Sequence, residues 1–99
     1  MGDPVARPIP LPTSSGLFGP DPGTGGFVDV AGIVAVETSG FPVTVVVRER
    51  TVTGTVIAAA ACTANGTLAS SFTHAVRSNG RLYAVVSGTG VIAGSVDIL

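Results

Sequence analysis

Proline divides this chain. Six of its seven prolines (Pro4, Pro8, Pro10, Pro12, Pro20 and Pro22) lie within residues 1–26, and only Pro42 falls in the remainder. Proline fixes φ, lacks an N–H and steers the preceding residue away from helical geometry. The first 26 residues therefore cannot form a helix, and extended polyproline-type geometry is expected of them. At about 3.3 Å per residue such an arm reaches roughly 80 Å, further than a small domain is wide. The expectation is a strap lying across a neighbouring protein, with Pro8, Pro10, Pro12, Leu17 and Phe18 as its contact residues.

From Phe27 onward the pattern changes to short Val- and Thr-rich runs separated by Gly, Asn and Ser. Phe27 to Glu37 alternates, with Val28, Val30, Val34 and Val36 on one side and Asp29 and Glu37 on the other, the signature of a half-buried strand. Thr38-Ser39-Gly40 turns the chain, and Pro42 stands where a strand can begin. Val43 to Val47 follows. Arg48-Glu49-Arg50 either continues that strand or turns into Thr51 to Ala61, where Gly54 marks a bulge or the close approach of another backbone. Asn65-Gly66 is a hairpin signal between Thr51 to Ala61 and Leu68 to Val76. Ser78-Asn79-Gly80 precedes Arg81 to Ser87, and Gly88-Thr89-Gly90 precedes Val91 to Leu99. Ala58 to Ala61 is the one helical candidate and is too short to nucleate. Six or seven strands at this spacing predict an all-β fold over residues 27–99, a small antiparallel β-sandwich (jelly-roll-like) or barrel, behind the arm of residues 1–26.

Alternation also selects a core. The inward set is Val28, Val34, Val36, Leu68, Phe72, Val76, Leu82, Ala84, Val86, Ile92, Val96 and Ile98. Val45, Val46 and Val47 are consecutive, so their strand is apolar on both faces. An apolar outer face left bare is an aggregation hazard, so a partner is expected to cover it. These three valines join the arm residues as candidate partner-binding positions.

Size points the same way. Of 99 residues, subtracting 26 in the arm leaves 73 to build a core, close to the lower limit for independent stability. The single Cys62 rules out an intrachain disulfide, and one Cys with one His does not make a structural metal site. Contacts with other subunits are the remaining source of stabilisation. A formal charge of −1, with five basic residues that are all arginine, provides no footprint for nucleic acid or an anionic membrane. The richest apolar run, Val56 to Cys62, is too short to cross a bilayer as a helix. The start Met-Gly-Asp-Pro-Val-Ala-Arg-Pro lacks the basic and apolar regions of a secretory signal, so no signal peptide is expected.

Candidate chemistry is sparse. His74 could pair with a nearby Ser and with Asp97, but no nucleophile elbow accompanies it, and a surface strand position is expected. Asp29, Glu37, Glu49 and Asp97 could supply an acid/base pair only if a cleft brought two together; solvated strand-edge charges are the expectation. Gly88, Gly90 and Gly94 precede a strand instead of a helix, so they read as turn and bulge glycines, not a dinucleotide fingerprint. Asn65-Gly66-Thr67 matches a glycosylation sequon but reads as a turn. Thr51, Thr53 and Thr55 read as a solvent face, and Cys62 as a small buried residue. No cofactor is expected. With no Trp and only Tyr83 and four Phe, the means for stacking on sugars are thin.

A Pro/Gly-rich strap ahead of a minimal Val/Thr/Gly β-domain with no cofactor motif resembles the small accessory structural proteins, decoration or minor tail, of tailed-bacteriophage particles. The run from Leu82 through Ile98 also looks like the closing strands of jelly-roll binding modules. The resemblance implies a non-enzymatic virion component assembled in a host cytoplasm. Its partners would be further copies of itself, with a trimer favoured, and a larger structural protein, without nucleic acid or membrane. The alternative is a surface-exposed carbohydrate-binding or adhesive β-sandwich module, marked by an exposed Tyr83 or Phe41 beside polar loops; carbohydrate is possible on this reading but not favoured.

Overall fold

The computed structural model describes residues 6–99, so the first five arm residues, Pro4 among them, lie outside it. Among the described residues eight strands form: β1 (Arg7–Pro10), β2 (Gly16–Phe18), β3 (Val28–Glu37), β4 (Val43–Glu49), β5 (Val56–Cys62), β6 (Thr67–Ser78), β7 (Leu82–Gly88) and β8 (Ile92–Ile98). They make two four-stranded antiparallel sheets, in the orders β1-β8-β3-β6 and β2-β7-β4-β5. First pairs with last, second with seventh, third with sixth and fourth with fifth. That is a long hairpin rolled upon itself into two sheets, the jelly-roll form of the β-sandwich.

The arm departs from expectation. From Arg7 onward it packs on its own chain. β1 pairs with β8, and β2 with β7. Proline alternates with apolar residues here, so Ile9 and Leu11 turn towards the core while Pro8 and Pro10 stay exposed on an edge strand. An edge needs ladder bonds on one side only and tolerates proline. Leu11 N–H donates to the Gly94 carbonyl (2.9 Å), and Leu11 and Phe18 are buried members of the single core.

A bulge decides which face of β3 is inside. Val30 lies opposite Ile98 and Gly32 opposite Asp97, so Ala31 is an extra residue against β8. One inserted residue reverses the alternation. Val28 and Val30 point inward before it; Ile33, Ala35 and Glu37 point inward after it. Val34 and Val36, expected inside, are turned outward. Gly32 is required at this point because a Cβ would lie 2.6 Å from the Ser70 carbonyl oxygen. Against β6 the same site is wider still, since Val30 faces Val76 while Gly32 faces Ser71. Phe72 to Ala75 thus balloon opposite Ala31. Leu68, in the regular part of β6, and Phe72, at the start of the balloon, are half-buried, and Val76 is exposed, so none of the three is part of the inner core.

The other inward positions on β7 and β8 agree with alternation. Leu82, Ala84, Ile92, Val96 and Ile98 are buried, with Val86 half-buried against them. The segment expected to be one strand from Thr51 begins only at Val56. Thr51 to Thr55 form the turn after β4, held by Gly54 N–H to the Thr51 carbonyl (3.0 Å) and Glu49 N–H to the Thr55 carbonyl (2.9 Å). Among the described strands, this turn makes the one hairpin between consecutive strands of a single sheet. Asn65-Gly66 turns the chain as expected, with Asn65 at φ 55°. The strands it joins, β5 and β6, nevertheless belong to different sheets.

Candidate functional site

One end of the sandwich is organised by a single buried carboxylate. Glu37 closes β3, and the bulge at Ala31 gives it inward parity, so it is 2% exposed instead of solvated. Its Oε1 accepts hydrogen bonds from the N–H groups of Gly40 (2.6 Å), Phe41 (2.9 Å) and Asn65 (3.1 Å). Its Oε2 accepts from Ser39 N–H (2.7 Å), the Ser39 hydroxyl (2.7 Å) and Val91 N–H (2.9 Å). These donors belong to the β3–β4, β5–β6 and β7–β8 turns. Burial pushes the Glu37 carboxyl up, but the Ser39 hydroxyl and the backbone N–H groups of Asn65, Ser39 and Val91 outweigh it and hold the pKa far below the usual carboxylate range. The result is a rigid end that presents Phe41 (56% exposed) and Val91 (45%) among Thr38, Ser39 and Asn65.

The opposite end holds arginines. Arg77 donates from Nε to Asp29 Oδ1 (2.9 Å) and from Nη2 to Oδ2 (3.2 Å), and its guanidinium lies 3.6 Å from the centre of the Phe27 ring. The Arg77 hydrogen bond holds the Asp29 carboxyl below the usual carboxylate range, against a smaller upward push from burial. Beside this cluster an open groove of about 740 Å³ runs between the Asp21–Gly26 loop, Arg50, Asn79 and Arg81. Its lining carries Asp21, Arg50 and Arg81, each engaged with groups of the chain itself. Arg81 Nε–H donates to the Gly19 carbonyl (3.0 Å), Asp21 accepts from Gly23 N–H (2.9 Å), and Glu49 accepts from Asn79 N–H (2.8 Å).

The outer face of the β2-β7-β4-β5 sheet is the third surface. Three rows cross it: Leu17–Tyr83–Arg48–Val56, Val85–Val46–Ala59 and Ser87–Thr44–Ala61. Arg48 is the one charged side chain in these rows, and its Nη1–H donates to the Gly54 carbonyl (2.9 Å). Of the expected partner-binding residues, Val46 and the half-exposed Leu17 are on this face. Val45, Val47 and Phe18 point into the core and are unavailable to a partner. Pro8 and Pro10 lie exposed on the opposite sheet, and Pro12 is half-buried after β1.

The candidate catalytic residues are not brought together. His74 is exposed in the ballooned part of β6, while Asp97 is on β8 with β3 between them. Among the described residues, no group of three or more His, Cys, Asp or Glu side chains could hold a metal ion. Likewise, no described helix is long and apolar enough to cross a membrane. Comparison of the chain with protein families, curated proteins and solved structures finds no match.

Proposed function

We propose that this chain is a non-enzymatic structural subunit of a large assembly, of the decoration or minor tail kind found on tailed-bacteriophage particles, and that it docks through the outer face of the β2-β7-β4-β5 sheet. The supporting observation is the makeup of that face. Val46, Val85, Ala59, Ala61, Leu17 and Tyr83 form a surface whose one charge, Arg48, is turned onto the chain's own backbone. Such a surface contributes about 25 cal/mol per Å² when covered, before ordering costs. Further copies of the chain and a larger structural protein are its proposed partners.

Light scattering after size exclusion tests this on the full chain. The expected result is a defined oligomer that Val46→Arg converts to monomer while the β-type circular dichroism is retained. Val46 is half-exposed, so arginine fits the free subunit but places an unpaired charge in the contact. A wild-type monomer at every concentration would overturn this assignment in favour of a free-standing binding module centred on Phe41.

A further inference from the structure

The four sheet edges are not alike. β1 carries Pro8 and Pro10, β2 is three residues long, and β6 balloons over Phe72 to Ala75. Each of these devices discourages another strand from pairing. β5 is different. Its one irregularity lies between the Arg48–Val56 and Val47–Ala58 pairs; from Ala58 to Cys62 it pairs regularly with β4 and contains neither charge nor proline. Beside it, on the same flank of the sandwich, the first part of β6 from Thr67 to Ser71 is also regular and uncharged.

We infer that this flank pairs edge to edge with the same flank of a second copy, across a two-fold axis through Ala60. The inference rests on the assembly reading above and names one of its contacts. Antiparallel self-pairing centred on Ala60 sets Ala58 opposite Cys62 of the second copy and Ala59 opposite its Ala61. Ala58, Ala60 and Cys62 all face inward, and Ala59 and Ala61 all face outward, so every pair matches in face. No like charges meet, and nothing larger than Cys crowds the seam.

The turn at Asn65-Gly66 extends the match to the other sheet. Ala60 and Ala69 lie equally far along the chain from the midpoint between Ala64 and Asn65. One axis perpendicular to the sheets therefore brings Thr67 to Ser71 against its own copy as well. Two continuous eight-stranded sheets result, and the outer rows Val85–Val46–Ala59 and Ala61–Thr44–Ser87 join across the seam. Five residues at about 3.4 Å span roughly 17 Å. Taken with the 18 Å smallest extent of the molecule, the flank buries on the order of 600 Å² over both copies, under the roughly 1,200 Å² of a stable free-standing complex. The contact is accordingly a weak, isologous one that builds dimers. Rings of three would use the outer face.

Cross-linking reads this register directly. Full chains with Cys62→Ala and either Ala59→Cys or Ala61→Cys are mixed at high concentration, one of them labelled with ¹⁵N, and oxidised. Paired residues across an antiparallel seam lie within disulfide reach, whereas 59–59 and 61–61 are offset along the strand. With the two chains in equal amounts, the mixed 59–61 dimer is expected to make up nearly all of the linked product, against the roughly one half that random pairing gives. No dimer, or the random proportions of the three dimers, would overturn the edge pairing. Light scattering on the unoxidised wild-type chain separates the two readings. An oligomer without the mixed disulfide sinks the edge contact alone, and a monomer without it sinks both.

Discussion

Glu37 illustrates how much one side chain carries. Six donors from three turns converge on it, so the loops at that end share a single acceptor. Its folded pKa lies below the ordinary 4.5, so its stabilising contribution is complete above that value and is lost as pH falls below it towards the folded pKa. Glu37→Gln replaces one acceptor oxygen with an NH₂ group facing N–H donors. The variant is expected to melt at a lower temperature than wild type at pH 7, with the difference narrowing as pH falls from 4.5 to 2; melting curves across that range check it, and a pH-independent difference would rule the mechanism out. The sequence shows an acid just before Ser39-Gly40, a place where local N–H donors turn back. What it hides is the burial, which follows from the extra residue at Ala31.

At the scale of elements, the β3–β8 pair is the seam on which the β1-β8-β3-β6 sheet depends. Gly94 sits there at φ 145°, and a Cβ would overlap the Val34 carbonyl of the facing strand. Gly94→Ala combines an unfavourable backbone region with a backbone clash and is expected to cost about 2–3 kcal/mol, measured as a lower denaturant midpoint with an unchanged slope. The six strands after Phe27, and the turns between them other than Thr51 to Thr55, are legible from period-two alternation and from Gly, Asn and Pro. Strand faces are legible only where pairing is regular. Leu82, Ala84, Ile92, Val96 and Ile98 obey the alternation, whereas Val34 and Val36 follow the bulge.

For the molecule as a whole, the first strands close the roll. β1 and β2 flank β8 and β7, and Leu11 and Phe18 complete the core. A shortened chain starting at Phe27 loses both side chains. By the cost of truncating buried Leu and Phe this amounts to about 5–10 kcal/mol, comparable with the roughly 5–15 kcal/mol that stabilises a small domain. That chain is expected to be unfolded, with a coil-like circular dichroism spectrum and no cooperative melt. A folded shortened domain, the outcome expected for a detachable strap, would show that β1 and β2 are ornamental.

The sequence by itself determined the all-β class, most of the turn positions and the regular inward rows, because these follow from local φ/ψ preference and side-chain alternation. Tertiary structure decided the rest. Turn signals mark where the chain reverses without saying which sheet receives it, so Asn65-Gly66 reads as a hairpin until β5 and β6 are seen in different sheets. The proline-rich arm becomes two edge strands because Ile9, Leu11 and Phe18 find apolar surface on β7 and β8. Val45 and Val47 leave the candidate docking surface, and Val46 remains, because β4 turns one face to the core and the other outward.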